Sequence, residues 1–187
     1  MWGRTLYPAV VRTVRFFSVL IAVCTVTSAF ATTVVASPVR VRARFVPVAT
    51  VRAGAPRGPA LTFDPTLFHP GASVSVFEWH NKWGGMSVSM SLSGLENSAV
   101  VDAQVHLGPC GTSAASVGPR LQDGPSRAHY AANEVWLNFT STTRGQARVL
   151  VQKYWGPVPG QTANSIAFYR AGSSALAACV AVRFRSP

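Results

Sequence analysis

Residues Ser73–Trp79 read SVSVFEW, and residues Gly85–Leu95 read GMSVSMSLSGL. In both stretches apolar and small polar side chains trade places at every second position. That is the period of a strand with one buried face, whereas an amphipathic helix repeats its apolar positions every third or fourth residue. Working outward, Val100–Leu107, Asn133–Thr140, Gln146–Tyr154, Ser165–Ala171 and Leu176–Phe184 are further short runs with turn residues between them. No stretch sustains a helical period. The expected architecture is therefore all-β, with seven to eight antiparallel strands in a β-sandwich or flattened Greek-key barrel and little helix.

Composition agrees with one packed domain: 48% of the 187 residues are hydrophobic and 12% are charged, too apolar for a disordered chain. Lys and Arg number 17 against 6 Asp and Glu, a net charge of +11. Only Lys82 and Lys153 are lysines. Six carboxylates leave little material for a paired-acid glycosidase or an acid-built calcium site, and four histidines cap any His-rich metal site.

The first residues read as an export signal. Arg4, Arg12 and Arg15 precede an uncharged run from Phe16 to Phe30, which closes on Ala29-Phe30-Ala31, the small-x-small pattern of a cleavage site. Cleavage is expected after Ala31, which assigns residues 1–31 to a signal peptide. The apolar run is about 15 residues, short of the ~20 a spanning helix needs, so no transmembrane segment is expected in the mature chain. Cys24 as a lipidated cysteine is the weaker alternative, because Val23 is bulky for the position before it. Removal of the signal leaves Cys110 and Cys179, an even pair in an oxidising compartment, and a disulfide is expected.

Residues 32–58 read as a basic arm or linker. Arg40, Arg42, Arg44, Arg52 and Arg57 stand there without an acid, broken by three prolines and two glycines between Ser37 and Gly58. A solvated spacer is the plain reading, and attachment to an anionic cell-envelope surface through Arg40, Arg42 and Arg44 is the functional one. Val39–Phe45 also alternates like a strand with one charged face. The β domain is assigned to residues 59–187. Nucleic-acid binding is favoured by charge alone, and an export signal argues against it.

Motifs for catalysis are scarce. The chain has no HExxH, CxxC or GxSxG and no phosphate-binding glycine loop. The segment Gln104-Val105-His106-Leu107-Gly108-Pro109-Cys110 carries a histidine on a strand without a close partner, since His69 and His80 precede it and His129 lies in a loop. Among the aromatics, Trp79, Trp83, Trp136, Tyr154 and Trp155 are candidate surface anchors. Of these, Trp136 is expected in the core, while Trp83 and Trp155, beside glycines, are expected to be exposed.

The order of several short motifs resembles secreted bacterial Cu/Zn superoxide dismutase-like proteins. They are Leu61-Thr62-Phe63-Asp64-Pro65, Gly71–Val76 (GASVSV), Leu92-Ser93-Gly94-Leu95, Gly108-Pro109-Cys110-Gly111, Val117–Gln122 (VGPRLQ), Asn133–Leu137 (NEVWL), Ser165–Tyr169 (SIAFY) and Ala177-Ala178-Cys179. The resemblance spans about residues 60 to 185. It implies a Greek-key barrel in which the Cys110–Cys179 disulfide ties an active-site loop down. It also implies a copper site of a His-x-His pair and two further histidines, one of them shared with zinc.

This chain departs from that ligand set. Gln104 stands at the first position of the pair and only His106 remains. Arg120 takes the place of the bridging histidine, Tyr169 that of the last copper histidine, and Leu176 that of the arginine that guides superoxide. His129 is one zinc-type position, and the zinc aspartate has no counterpart near Asn133 and Glu134. A guanidinium stays charged and has no lone pair to offer a metal. The resemblance with these losses implies a metal-free pseudoenzyme, with no copper or zinc cofactor and no catalytic residues. The alternative is a copper/zinc-type redox enzyme with atypical ligands, in which His69, His80, His106 and His129 converge.

Overall fold

The computed structural model describes residues 37–51, 60–124 and 129–186. The expected leader, with Cys24, lies outside the described residues. In chain order the strands are β1 (Val39–Arg44), β2 (Val46–Pro47), β3 (Ala60–Thr62), β4 (Phe68–His80), β5 (Met86–Leu95), β6 (Val100–His106), β7 (Phe139–Thr140), β8 (Gln146–Gln152), β9 (Ala163–Arg170) and β10 (Leu176–Phe184). They form a four-stranded sheet, β1-β4-β5-β8, and a six-stranded sheet, β2-β3-β10-β9-β6-β7. Every pairing is antiparallel except β2 with β3. The protein is a β-sandwich. Among the described residues, helix is limited to two short 3-10 turns, and no helix is long and apolar enough to cross a membrane.

Alternation builds the core as the sequence requires. Val74 faces Leu92 and Val76 faces Met90 across β4 and β5, all four buried. They meet Val101, Ala103 and Val105 of β6, Ile166 and Phe168 of β9, and Val180, Val182 and Phe184 of β10. Phe45, Phe68 and Phe168 form an aromatic cluster with centroids 4.9 to 6.0 Å apart, a spacing at which tilted rings attract beyond simple burial.

Two expectations change. The basic arm contributes residues to both sheets: β1 pairs with β4 from Val39↔Glu78 to Arg44↔Ser73, and β2 pairs with β3. The strand reading of Val39–Phe45 wins because Val39, Val41 and Ala43 pack on the core while Phe45 is wholly inside it. The boundary drawn at residue 58 therefore falls within the domain, and the described residues hold ten strands, not seven to eight. The second change concerns Asn133–Thr140. Its alternation is real, with Val135 and Leu137 in the core, but only Phe139–Thr140 joins a ladder. Glu134 and Trp136 make single bridges to Gln122 and Gln104.

Trp155 is also corrected: it is 7% exposed, and its Nε1 donates to the Ala132 carbonyl at 3.1 Å. The neighbouring Gly156 marks a close approach rather than an open turn, because a Cβ there would lie 2.9 Å from His80 Nε2. Trp83 is 79% exposed, as expected, and Tyr154 is similarly open. Trp136 is half-buried.

One pair inside the sandwich breaks the apolar rule. Glu78 and His80, two residues apart on β4, both point inward, with His80 Nδ1 2.9 Å from Glu78 Oε1. Among the described residues neither Glu78 oxygen accepts a well-directed hydrogen bond. Burial pushes the Glu78 carboxyl up to about 7, the positive Arg185 opposing only in part, and burial lowers His80. A raised carboxyl favours the fold while protonated, so its contribution is complete below the ordinary carboxylate range and is lost as pH rises through about 7. Glu78→Gln is therefore expected to gain on the parent by about 3 kcal/mol between pH 5 and pH 8. Urea unfolding at the two pH values checks this, and a constant difference between parent and variant would refute it.

Candidate functional site

The outer face of the six-stranded sheet carries the chemistry. Because Val101, Ala103 and Val105 point into the sandwich, the period of two turns Asp102, Gln104 and His106 to the other face. Tyr169, paired with Asp102 on β9, lies on the same side. The segments around Gly118–Gln122 and His129 close over them, leaving a cleft of about 400 Å³ lined by Gln104, His106, Arg120, His129 and Tyr169 among others.

His106 is buried. Its Nδ1–H donates to the Gly118 carbonyl at 2.8 Å, which leaves Nε2 with its lone pair, 3.4 Å from the Tyr169 hydroxyl. Burial holds the imidazole below its ordinary pKa, and the Arg120 charge adds to this. Burial in turn raises the Tyr169 phenol. Gln104, 7% exposed, has a buried Oε1 with no partner among the described residues.

Glu134 organises the loops over this face. Its side chain is 1% exposed. Oε1 accepts from His129 Nδ1 at 2.5 Å and from Gln122 Nε2 at 3.1 Å. Oε2 accepts from Trp136 Nε1 at 2.7 Å and, at a long 3.5 Å, from Arg120. Burial alone would raise this carboxyl, but the donors His129, Trp136 and Gln122, with the Arg120 charge, outweigh it and hold it below the ordinary range. In the sequence Glu134 stands out only as a neighbour of the missing zinc aspartate. Its alternation with Val135 and Leu137 was the signal that it faces away from the core.

The disulfide secures the rim. Cys110 and Cys179 are bonded, their Cα atoms 5.5 Å apart, and they pack with Leu61, Val117, Ala167 and Leu176 on the outer face of the sheet. The loop doubles back where the Gly108 N–H donates to the Val117 carbonyl at 2.7 Å. A Cβ at Gly108 would stand 2.2 Å from the Ser116 carbonyl oxygen, so the position requires glycine. This turn delivers the Gly118 carbonyl to His106.

Gln104, His106, Arg120, Tyr169 and His129 thus converge, while Leu176 is buried beneath the disulfide loop. The four histidines do not converge. His80 is enclosed between the sheets and His69 is exposed at the start of β4; only His106 and His129 reach the cleft. Number alone suggests the four as a ligand set, but the two-residue period of β4 sends His80 into the core. The cleft does not fit a copper–zinc centre: it offers imidazole lone pairs only at His106 Nε2 and His129 Nε2, beside a guanidinium and a carboxylate already occupied by four donors. Copper that cycles between two oxidation states needs several imidazoles. Among the described residues no group of three or more His, Cys, Asp or Glu side chains could hold a metal ion.

No protein-family model matches the chain, and no curated protein matches it.

Two variants test the cleft's construction. Glu134→Gln should cost about 3 kcal/mol at neutral pH, since four donors lose a charged acceptor. A depressed carboxyl stabilises above its ordinary range and loses that contribution as pH falls through its folded pKa, so the cost should shrink below about pH 4; denaturant midpoints across pH measure it. Cys110→Ser with Cys179→Ser reopens a loop whose ends are 69 residues apart, and about 4 kcal/mol of stability should be lost. Urea titration with and without reductant reads that loss, which should be absent in the variant.

Proposed function

We propose that this chain is an exported superoxide dismutase-like protein that has exchanged metal chemistry for a role as a cell-envelope or extracellular interaction module. One observation carries the reading: Gln104, His106, Arg120 and Tyr169, the four positions that the resemblance equates with copper ligands, face a single cleft. The strand period alone accounts for Gln104 and His106, and what supports the alignment is that Arg120, bridged to His106, and Tyr169, from the neighbouring strand, join them. In this reading the ligand positions were replaced as a group. Arg120 puts a fixed cation where a shared imidazole would join two metals, and repulsion between unit charges 4 Å apart is about 4 kcal/mol at an effective dielectric of 20. Tyr169 holds the remaining imidazole by its hydroxyl. The matched pair Cys110 and Cys179, bonded across the cleft's rim, supports the same alignment. Retention of a disulfide-tied sandwich with a remodelled cleft suits a protein selected for its surfaces.

The purified protein, incubated with Cu(II) and Zn(II) and desalted, should retain well under one equivalent of copper by elemental analysis and should not accelerate superoxide decay in a cytochrome c competition assay. Gln104→His, Arg120→His and Tyr169→His made together should raise copper retention, and each made alone should not. One equivalent of copper with dismutation by the unmodified chain would overturn the proposal.

A further inference from the structure

The outward face of the four-stranded sheet is a trough of about 820 Å³ with arginine walls. On β1, Arg42 and Arg44 stand outward opposite Ser75 and Ser73. On β8, at the other edge, Arg148 stands opposite Ser91. Three inter-strand spacings separate the walls by about 14 Å, and successive outward residues along a wall recur every ~6.8 Å. The floor between them is low because β4 and β5 turn serines outward, Ser75 against Ser91 and Ser73 against Ser93. Ser73 and Ser93 share a hydrogen bond of 2.7 Å, while the hydroxyls of Ser75 and Ser91 have no partner among the described residues. Beyond the trough on the same outward face Phe77 stands opposite Arg40, whose guanidinium is 4.2 Å from its ring centre, with Trp79 stacked beside it at 5.0 Å.

The charge on this face is of one sign. The chain's six carboxylates all lie elsewhere. Asp64 and Glu96 are paired with Arg170, and Glu78 is enclosed with His80. Asp102 and Glu134 belong to the six-stranded face, and Asp123 meets Tyr154. Among the described residues Arg42 and Arg148 have no ionic partner. Protection of an edge strand against pairing needs charge of either sign, so it does not account for two edges of arginine facing each other over a hydroxyl floor. Unneutralised guanidinium groups spaced about 7 to 14 Å apart form a receptor for an extended anion with oxygen-bearing groups along its length.

We infer that this trough binds an anionic polysaccharide, with Arg42, Arg44 and Arg148 meeting its carboxylates, the serine floor meeting its hydroxyls and the Phe77–Trp79 strip meeting a sugar face. A glycan fits better than the other polyanions. A flat lipid surface cannot enter a trough between walls. Single-stranded nucleic acid is held by aromatic faces for successive bases along its groove, and between the arginine walls the trough is lined by serines with no aromatic side chain. The inference deepens the proposed interaction role and rests on it. It concerns the other sheet from the cleft, so copper retention and glycan binding are read separately and either result stands without the other.

The test is titration calorimetry of the purified full chain with polygalacturonate in 50 mM salt, beside neutral dextran, a thirty-residue oligothymidylate and phosphatidylserine vesicles. Saturable binding to polygalacturonate and none to dextran is expected. Arg42→Ala with Arg148→Ala should weaken it roughly tenfold or more, and Lys82→Ala with Arg183→Ala, the same charge removed elsewhere, should change it less than twofold. Ser75→Leu with Ser91→Leu, which fills the floor at unchanged charge, should also weaken it, and circular dichroism verifies that each variant is folded. Absence of polygalacturonate binding overturns the inference. Equal loss in the two arginine and lysine pairs, an unaffected floor variant, or tighter binding of the oligonucleotide or the vesicles does so as well.

Discussion

The two-residue alternation of β4 and β5 is the constraint on which the rest of this molecule depends. Each strand carries an unbroken inward row, Val74 to His80 and Met86 to Leu92, and the burial of those rows against β6, β9 and β10 fixes the register of both sheets. A slip of one residue would turn every serine inward and every valine and methionine outward. The same constraint therefore sets two surfaces at once. Inward packing of Val101, Ala103 and Val105 leaves Gln104 and His106 on one outer face, and inward packing of β4 and β5 leaves a serine floor on the other.

These faces differ in how they treat charge. On the six-stranded side a buried carboxylate, Glu134, is satisfied by four donors from three different segments. It acts as a staple that holds irregular backbone over the sheet, where a continuous ladder is missing. Low polarity strengthens each of those bonds and makes the loss of any one costly. On the four-stranded side the arginines are exposed and unpaired among the described residues, so they contribute little to the fold and remain available to a partner. Glu78 and His80 are the counterexample within the core: they are enclosed without directed hydrogen bonds, and the fold tolerates them because the carboxyl keeps its proton into the neutral range.

The disulfide joins the fold to the cleft. It fastens a loop across the outer face of β9 and β10, and the loop in turn supplies the carbonyl that fixes the His106 tautomer. Gly108 is needed at the crossing because backbone meets backbone there. The cleft's geometry is thus set by covalent and steric constraints lying outside the sandwich core.

Alternation in SVSVFEW and GMSVSMSLSGL determined the all-β class, since a period of two has one regular structure that can bury it. An even cysteine pair behind an export-like leader pointed to the disulfide, and the outward direction of Gln104 and His106 follows from the strand that carries them. What only tertiary structure decided is which segments cover which face. The basic run at Arg40–Arg44 reads as a spacer in isolation because its apolar half is small, and it becomes an edge strand only when β4 offers a register for Val39, Val41 and Ala43. Glu134 became the hub of the cleft because loops distant in sequence brought Arg120, Gln122 and His129 to it. Such contacts depend on long-range packing, which no local period in a sequence encodes.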